Sequence, residues 1–251
     1  MTIAFWPGLG GDTAAFCEIG PVLAARGYPA TVVDPRYGRR DDWSLAALGS
    51  ELAGTGADIY AGHSWGGAVA VEAASIRPPR ALVLLDGGHI GQPDFVAFGG
   101  NADPELAVQE VRAQHDDFRW PTWEAYLDFV REQTPRWSEE LEQAARSGMR
   151  VVDGEILPPF DGAELERIVR AYHDYDPSLL LPALPRSTAV LLVVAHGDEF
   201  DSERERFVER FRQLVPAADV ERVDSGHDVV WGVGPPLGDL IADWLSRRLG
   251  E

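Results

Sequence analysis

A chain of 251 residues with 45% hydrophobic side chains is long enough to bury a substantial core, either as one large α/β domain or as a core carrying an inserted lobe. Its net charge of −19 argues against a nucleic-acid partner, whose phosphates it would repel, and all 22 basic residues are arginine, which excludes a lysine Schiff base and a P-loop lysine. No apolar run approaches the roughly 18 residues of a bilayer span, the start Met1-Thr2-Ile3-Ala4-Phe5-Trp6 lacks the features of a signal peptide, and the single Cys17 excludes an internal disulfide, so a cytoplasmic protein with no membrane partner is expected.

In chain order, residues 2–7 read as a short apolar strand, followed by the loop Gly8-Leu9-Gly10-Gly11 and by Asp12, placed as the N-cap of a helix over 13–26. Gly27 closes that helix and 29–34 reads as a second strand. A helix over 43–52 carries Leu45, Leu48 and Leu52 on one face. Residues 57–61 form a third strand, 65–76 an alanine-rich helix suited to lying close on a sheet, and 80–85 a fourth strand whose continuous apolar run fits a parallel strand covered on both faces. Alternation then stops. Residues 87–186 are polar, aromatic and mostly helical, with helices expected over 123–133, 138–147 and 163–172 and an extended piece over 151–157 around Asp153-Gly154; this is too long for an ordinary loop. Strand, helix, strand and helix resume over 189–195, 202–214, 219–223 and 237–249. The pattern predicts an α/β fold with a mostly parallel sheet of about six strands, helices on both faces, and an insertion after the fourth strand. The domains are then a core of 1–86 and 187–251 and an inserted lobe of 87–186.

One stretch organises the chemistry. Gly62-His63-Ser64-Trp65-Gly66 lies between a strand and a helix and fits the G-x-S-x-G nucleophile elbow, a strained turn that lifts a serine hydroxyl clear of the sheet. A serine needs a base to take its proton and a carboxylate to orient that base. His227, in Asp224-Ser225-Gly226-His227-Asp228 just past the last strand, is the base best placed to return over the elbow. For the acid, the end of the fifth strand offers Asp201, which has room to turn toward His227, then Asp198 as runner-up and Glu199 third; Asp86, closing the fourth strand, is a further candidate. The oxyanion of a tetrahedral intermediate needs two N–H donors. Trp65, opening the helix after the elbow, supplies one, and Leu9 in the glycine loop is chosen for the other. That loop lacks the third glycine of a dinucleotide-binding fingerprint.

Elbow, glycine loop and the order Ser64, Asp201, His227 together resemble the α/β-hydrolase superfamily over nearly the whole chain. By that resemblance, 87–186 looks like the family's cap. Two departures stand out: the family usually has two more strands before the glycine loop, so that either this sheet has about six strands or the start of the chain is incomplete, and Pro7 stands where the family often has a histidine.

The resemblance implies a cofactor-free serine hydrolase, carboxylesterase-like, acting on a small or medium apolar ester. The same triad could instead cut a lactone, an amide or a carbon-carbon bond, and a ligand-binding protein with little turnover is the rival of another class. Substrate-pocket candidates are Trp65 and Trp231, which adjoin Ser64 and follow His227, then Trp6, and Trp123 and Trp137 in the insertion, whose aromatics could alternatively form its own small core. His89, His115, His173 and His196 are too scattered for a metal site, so no metal is expected.

Overall fold

The structure, a computed structural model, describes residues 1–97, 101–134, 136–197 and 200–250. Six strands form one parallel sheet: β1 (Ile3–Trp6), β2 (Ala30–Val32), β3 (Ile59–His63), β4 (Ala81–Leu85), β7 (Ala189–His196) and β8 (Asp219–Asp224), in the order β2-β1-β3-β4-β7-β8. Every side chain of β4 is buried, and the two-residue period of a strand divides them between two cores. Leu82 and Leu84 pack with α2 (Leu45–Gly54) and α3 (Trp65–Ile76) on one face. Ala81, Val83 and Leu85 pack with α1 (Ile19–Ala25) and α12 (Pro235–Leu249) on the other. Helix α3 sits close because its inner positions are alanine and glycine. Likewise, a Cβ on Gly49 of α2 would press on the backbone of α3 at Glu72 and Ala73.

Helix α1 is shorter than the 13–26 expected. Pro21 cannot donate to the carbonyl of Cys17 and its ring crowds that carbonyl, so the preceding residues form turns instead. Asp12 caps a turn there, accepting from the Ala14 N–H at 2.8 Å, rather than the helix.

Between β4 and β7, which are neighbours in the sheet, the chain leaves and returns. It forms α4 (Gln92–Ala97), α5 (Pro104–Asp117), α6 (Trp123–Gln133), α7 (Glu139–Ser147), the hairpin β5 (Arg150–Val152) and β6 (Glu155–Leu157), α8 (Gly162–His173) and α9 (Pro177–Leu180). The hairpin turns on Asp153 and Gly154, both with positive φ, the backbone an Asp-Gly two-residue turn requires. Helix α5, absent from the elements expected, carries little apolar periodicity: it is set by Asp103, which caps it, and Pro104 at its first position. After β7 come α10 (Asp201–Leu214), β8, and the short α11 (Val229–Val233) before α12.

The strand order fixes where a site can form. The chain goes from β1 outward to β2, then crosses back to β3 on the other side of β1, so the order reverses between β1 and β3. Loops leaving adjacent strands in opposite directions open a crevice at their carboxyl ends. The loops that leave there are Pro7–Gly11 and the turn at Ser64. Among the described residues no helix is long and apolar enough to cross a membrane.

Candidate active site

Ser64 sits between β3 and α3 with φ 54° and ψ −123°, a conformation that costs a non-glycine residue on the order of 1–3 kcal/mol. Packing around it leaves no slack. A Cβ on Gly62 would overlap the carbonyl of Gly66, and one on Gly66 would overlap the carbonyls of Trp6 and Pro7. From the far side, Gly87 and Gly88, just after β4, lie so close that a Cβ on Gly87 would meet the backbone of Ser64. The elbow is thus clamped between the ends of β1 and β4, and its N–H donates to the Leu85 carbonyl at 3.0 Å.

His227 lies on the loop between β8 and α11, and its carbonyl accepts from Val229 N–H at 2.9 Å and from His63 Nε2–H at 3.0 Å. Its Nε2 is 2.8 Å from Ser64 Oγ and its Nδ1 is 2.7 Å from Asp86 Oδ2. A carboxylate only accepts, so Nδ1 carries the proton and Nε2 is left to accept from the serine hydroxyl. The Asp86 hydrogen bond raises the His227 pKa above the ordinary value against the opposing effect of burial. Asp86 is 7% exposed, and burial pushes its carboxyl up; the bond from His227, its charge, and the Ala195 N–H on Oδ1 at 3.1 Å outweigh that and hold it below the ordinary value.

The acid that meets His227 is therefore Asp86 and not Asp201. Asp201 opens α10 and folds back on the end of its own strand, taking the Gly197 N–H on both oxygens (3.1 and 3.0 Å) and pairing with His196 Nδ1 at 3.0 Å. Asp198 and Glu199 lie outside the described residues. A signal for Asp86 was present in the sequence: the two glycines after it allow the end of β4 to touch the elbow. The same clamp bends Asp86 to φ 43°.

Among the described residues neither the Leu9 nor the Trp65 N–H has a protein acceptor. Leu9 is the second residue of a turn closed by Gly11 N–H to Gly8 carbonyl at 3.0 Å, and Trp65 is the first residue of α3, whose dipole favours negative charge there. Two cavities meet at Leu9, Ser64 and His227. The larger, about 670 Å³, runs past Trp65 and His89 beneath α5 and α8 and is lined by Val111, Ile168, Val169, Tyr172 and Phe207. The smaller, about 320 Å³, lies beside Tyr126, Met149 and Trp231.

Of the five tryptophans expected at the pocket, Trp65 lines the larger cavity and Trp231 the smaller, its indole N–H donating to the Ala15 carbonyl at 2.9 Å. Trp6 does not reach either cavity, because its side chain leaves the sheet on the face covered by α2 and α3 and is buried in the core against Trp65. Trp123 and Trp137 line neither; they pack on the insertion's own cluster of Tyr126, Leu127, Ala145 and Ile156, under the guanidinium groups of Arg146 and Arg131. His63 and His89 had not been singled out for the site. His63 buttresses His227 through its carbonyl, and His89 is a buried ring beside Asp86 with neither nitrogen hydrogen-bonded.

Solved structures with the same fold cover almost the whole chain. They include the thioesterase domain from the curacin biosynthetic pathway (15% identity, TM-score 0.70, covering 100% of this chain and 91% of that one). E-2-(acetamidomethylene)succinate hydrolase is similar to the same degree (18% identity, TM-score 0.70, 100% and 91%). A thermophilic esterase from Thermogutta terrifontis, solved with malate bound, follows (19% identity, TM-score 0.68, 99% and 90%). At these identities the likeness is one of fold. No curated protein matches the chain. The sequence profile of the Alpha/beta hydrolase family matches residues 3–234, and with the elbow, the sheet order and the clamped serine in place, the chain belongs to that family.

Proposed function

We propose that the protein is a serine hydrolase that cleaves carboxylic esters through an acyl-enzyme, with Ser64 as nucleophile, His227 as general base and acid, and Asp86 as the group that orients the imidazole. The observation that carries this reading is the unbroken hydrogen-bonded line from Asp86 through His227 to Ser64, ending beside two N–H groups with no acceptor among the described residues. Ser64 Oγ attacks the ester carbonyl as its proton passes to His227 Nε2. Leu9 and Trp65 N–H groups hold the oxyanion, worth a few kcal/mol of transition-state stabilisation. Collapse expels the alcohol, which takes the proton from His227; a water, deprotonated in turn by His227, then attacks the acyl carbonyl, and Ser64 Oγ leaves with that proton from His227 as the carboxylic acid is released. Chain and water supply every atom, so no cofactor is needed.

The insertion, 87–186, acts as a cap over the core of 1–86 and 187–251. The larger cavity, apolar for most of its wall, suits an apolar acyl group, and the smaller one lies beside the residues that follow His227, where the leaving alcohol must meet its proton donor. Incubation with a fluorophosphonate tests the reading. One label per chain is expected, lost in Ser64→Ala, together with loss of ester turnover by orders of magnitude in a variant that stays folded. An unlabelled wild-type protein, or full turnover in Ser64→Ala, overturns the proposal and leaves the ligand-binding alternative. A panel of acyl lengths, lactones and amides then fixes the bond.

A further inference from the structure

The glycine loop that carries one oxyanion donor has little to hold it. Gly8-Leu9-Gly10-Gly11 is a turn with a single internal backbone hydrogen bond, and Gly10 at φ 84°, after a residue of negative φ, gives it the type II form. The same four residues could form a type I turn by flipping the Leu9–Gly10 peptide, and three glycines offer no side-chain resistance to that flip. One further contact opposes it: the Gly10 N–H donates to the hydroxyl oxygen of Tyr37 at 2.9 Å.

Tyr37 comes from a distant part of the chain, the loop between β2 and α2, and that loop is itself fastened. Arg36 and Arg40 both pair with Glu51 on α2, and Arg40 Nε donates to the Pro35 carbonyl at 3.0 Å. The next residue, Gly38, donates its N–H to both oxygens of Glu164 on α8 (3.0 and 2.9 Å), a carboxylate only 3% exposed. The Tyr37 ring stacks on Trp43 (centroids 5.3 Å, planes 19° apart), and Trp43 packs against Trp65 at 5.9 Å. One aromatic run therefore touches the loop bearing the Leu9 N–H at one end and the residue bearing the other donor at the opposite end.

We propose that Tyr37 is a positioning residue for the oxyanion hole: its hydroxyl pins the Gly10 N–H and so the aim of the Leu9 N–H, and Glu164 of α8 fixes Tyr37 in place by holding Gly38. The two peptides that meet at Leu9 share its Cα, so freedom in the second loosens the first. Tyr37 touches no substrate in this reading. Its effect falls on the transition state, where the oxyanion forms, and leaves ground-state binding alone. The inference rests on the serine-hydrolase proposal above.

Tyr37→Phe removes the hydroxyl and keeps the ring stack, so the fold should survive. The expected result is a fall in kcat of about ten-fold with KM within two-fold, and an equal loss of affinity for a boronic acid that mimics the tetrahedral adduct. Glu164→Gln keeps an acceptor for Gly38 and should stay near wild type, whereas Glu164→Ala should resemble Tyr37→Phe. Fluorophosphonate labelling rates, taken alongside melting temperatures, separate the failures. A wild type that does not label at Ser64 defeats the hydrolase reading. A wild type that labels while Tyr37→Phe labels, turns over and binds the boronate equally well overturns the role of Tyr37 alone. Glu164→Ala at full kcat overturns the role of Glu164, and a tenfold loss in Tyr37→Phe that appears in KM rather than kcat assigns Tyr37 to substrate binding and overturns the proposal.

Discussion

At the scale of single residues, the deciding contrast is between two aspartates that follow neighbouring strands. Asp86 is buried and bonded to His227; Asp201 is tied to Gly197 and His196 on its own loop. Replacing Asp86 by Asn removes the acceptor that holds the proton on Nδ1, and kcat should fall about 10³–10⁴-fold. Asp201→Asn should leave kcat within about three-fold, because it loses only local hydrogen bonds worth ~1 kcal/mol each. The pH profile makes the same point with a sign. His227 must be neutral to act as base, and Asp86 raises its pKa, so the acid limb of kcat/KM should fall off at a pH above the free-histidine value of about 6.5. In whatever activity Asp86→Asn retains, that limb should move to lower pH; an unmoved limb would show that another group titrates. Ser64 and His227 were legible in the sequence because a motif and a strand end announced them. The choice between aspartates was legible only through Gly87 and Gly88, whose lack of Cβ lets the end of β4 touch the elbow; nothing about the aspartates themselves shows which loop turns inward.

At the scale of elements, the elbow depends on backbone meeting backbone. Gly87 lies against Ser64, and neither main chain can step aside as a flexible side chain could. Gly87→Ala should therefore cost ~1–3 kcal/mol of stability through overpacking, and should displace the elbow enough to lower kcat by about 10²-fold. Gly20→Ala on α1, where a new Cβ meets nothing within 4 Å, is the control and should leave both unchanged or slightly improved. Equal effects from the two substitutions, read by urea unfolding and by kcat, would remove the clamp from the account. Strands β4 and β7 were plain in the sequence because burial on both faces writes an uninterrupted apolar run. Helix α1 is shorter than its helical pattern suggests because Pro21 falls inside that pattern and cannot donate to the carbonyl four residues before it. Helix α5 went unseen because its signal is a cap and a proline, not a stripe.

At the scale of the molecule, strand-helix alternation was enough to outline the six-stranded sheet, while the contents of the stretch between β4 and β7 were not legible: its aromatic residues serve their own cluster and its polar helices carry pairs that only proximity reveals. One such pair ties the two parts together. Glu18, next to α1, accepts from Arg136 Nη2 at 3.1 Å and Ser138 Oγ at 2.8 Å; burial pushes its carboxyl up, but these bonds prevail and keep it below the ordinary value. The segment between α6 and α7 is thus fastened to the start of α1 beside the smaller cavity.

Stability against pH should carry the mark of histidines that act in opposite directions: burial lowers the pKa of His63 and of His89, while the Asp86 hydrogen bond raises that of His227. His89 is 3% exposed, with neither ring nitrogen hydrogen-bonded, and packs edge-on against Phe211 at 6.2 Å. Burial lowers its pKa, and repulsion from His227 adds to that. The charges of Asp86 and Asp94 pull the other way and do not prevail. The unfolded chain takes up a proton at this residue below pH ~6.5, while the folded chain refuses it until a lower pH, so stability is lost as the pH falls through that interval. His227 has a raised folded pKa, so its stabilising contribution is complete below pH ~6.5 and is lost as the pH rises through the folded value. The two windows lie on either side of the ordinary histidine pKa. Urea midpoints measured from pH 5 to 8 should therefore pass through a maximum near ~6.5 as far as these histidines dominate, with His89 contributing at most ~1.4 kcal/mol per pH unit to the fall on the acid side. His89→Leu removes that proton and should lessen the slope of the acid side, to which His63 still contributes, while leaving the alkaline side as it was; an acid side of unchanged slope would place the lost stability on other groups and show that the buried His89 ring is not what makes the fold sensitive to acid.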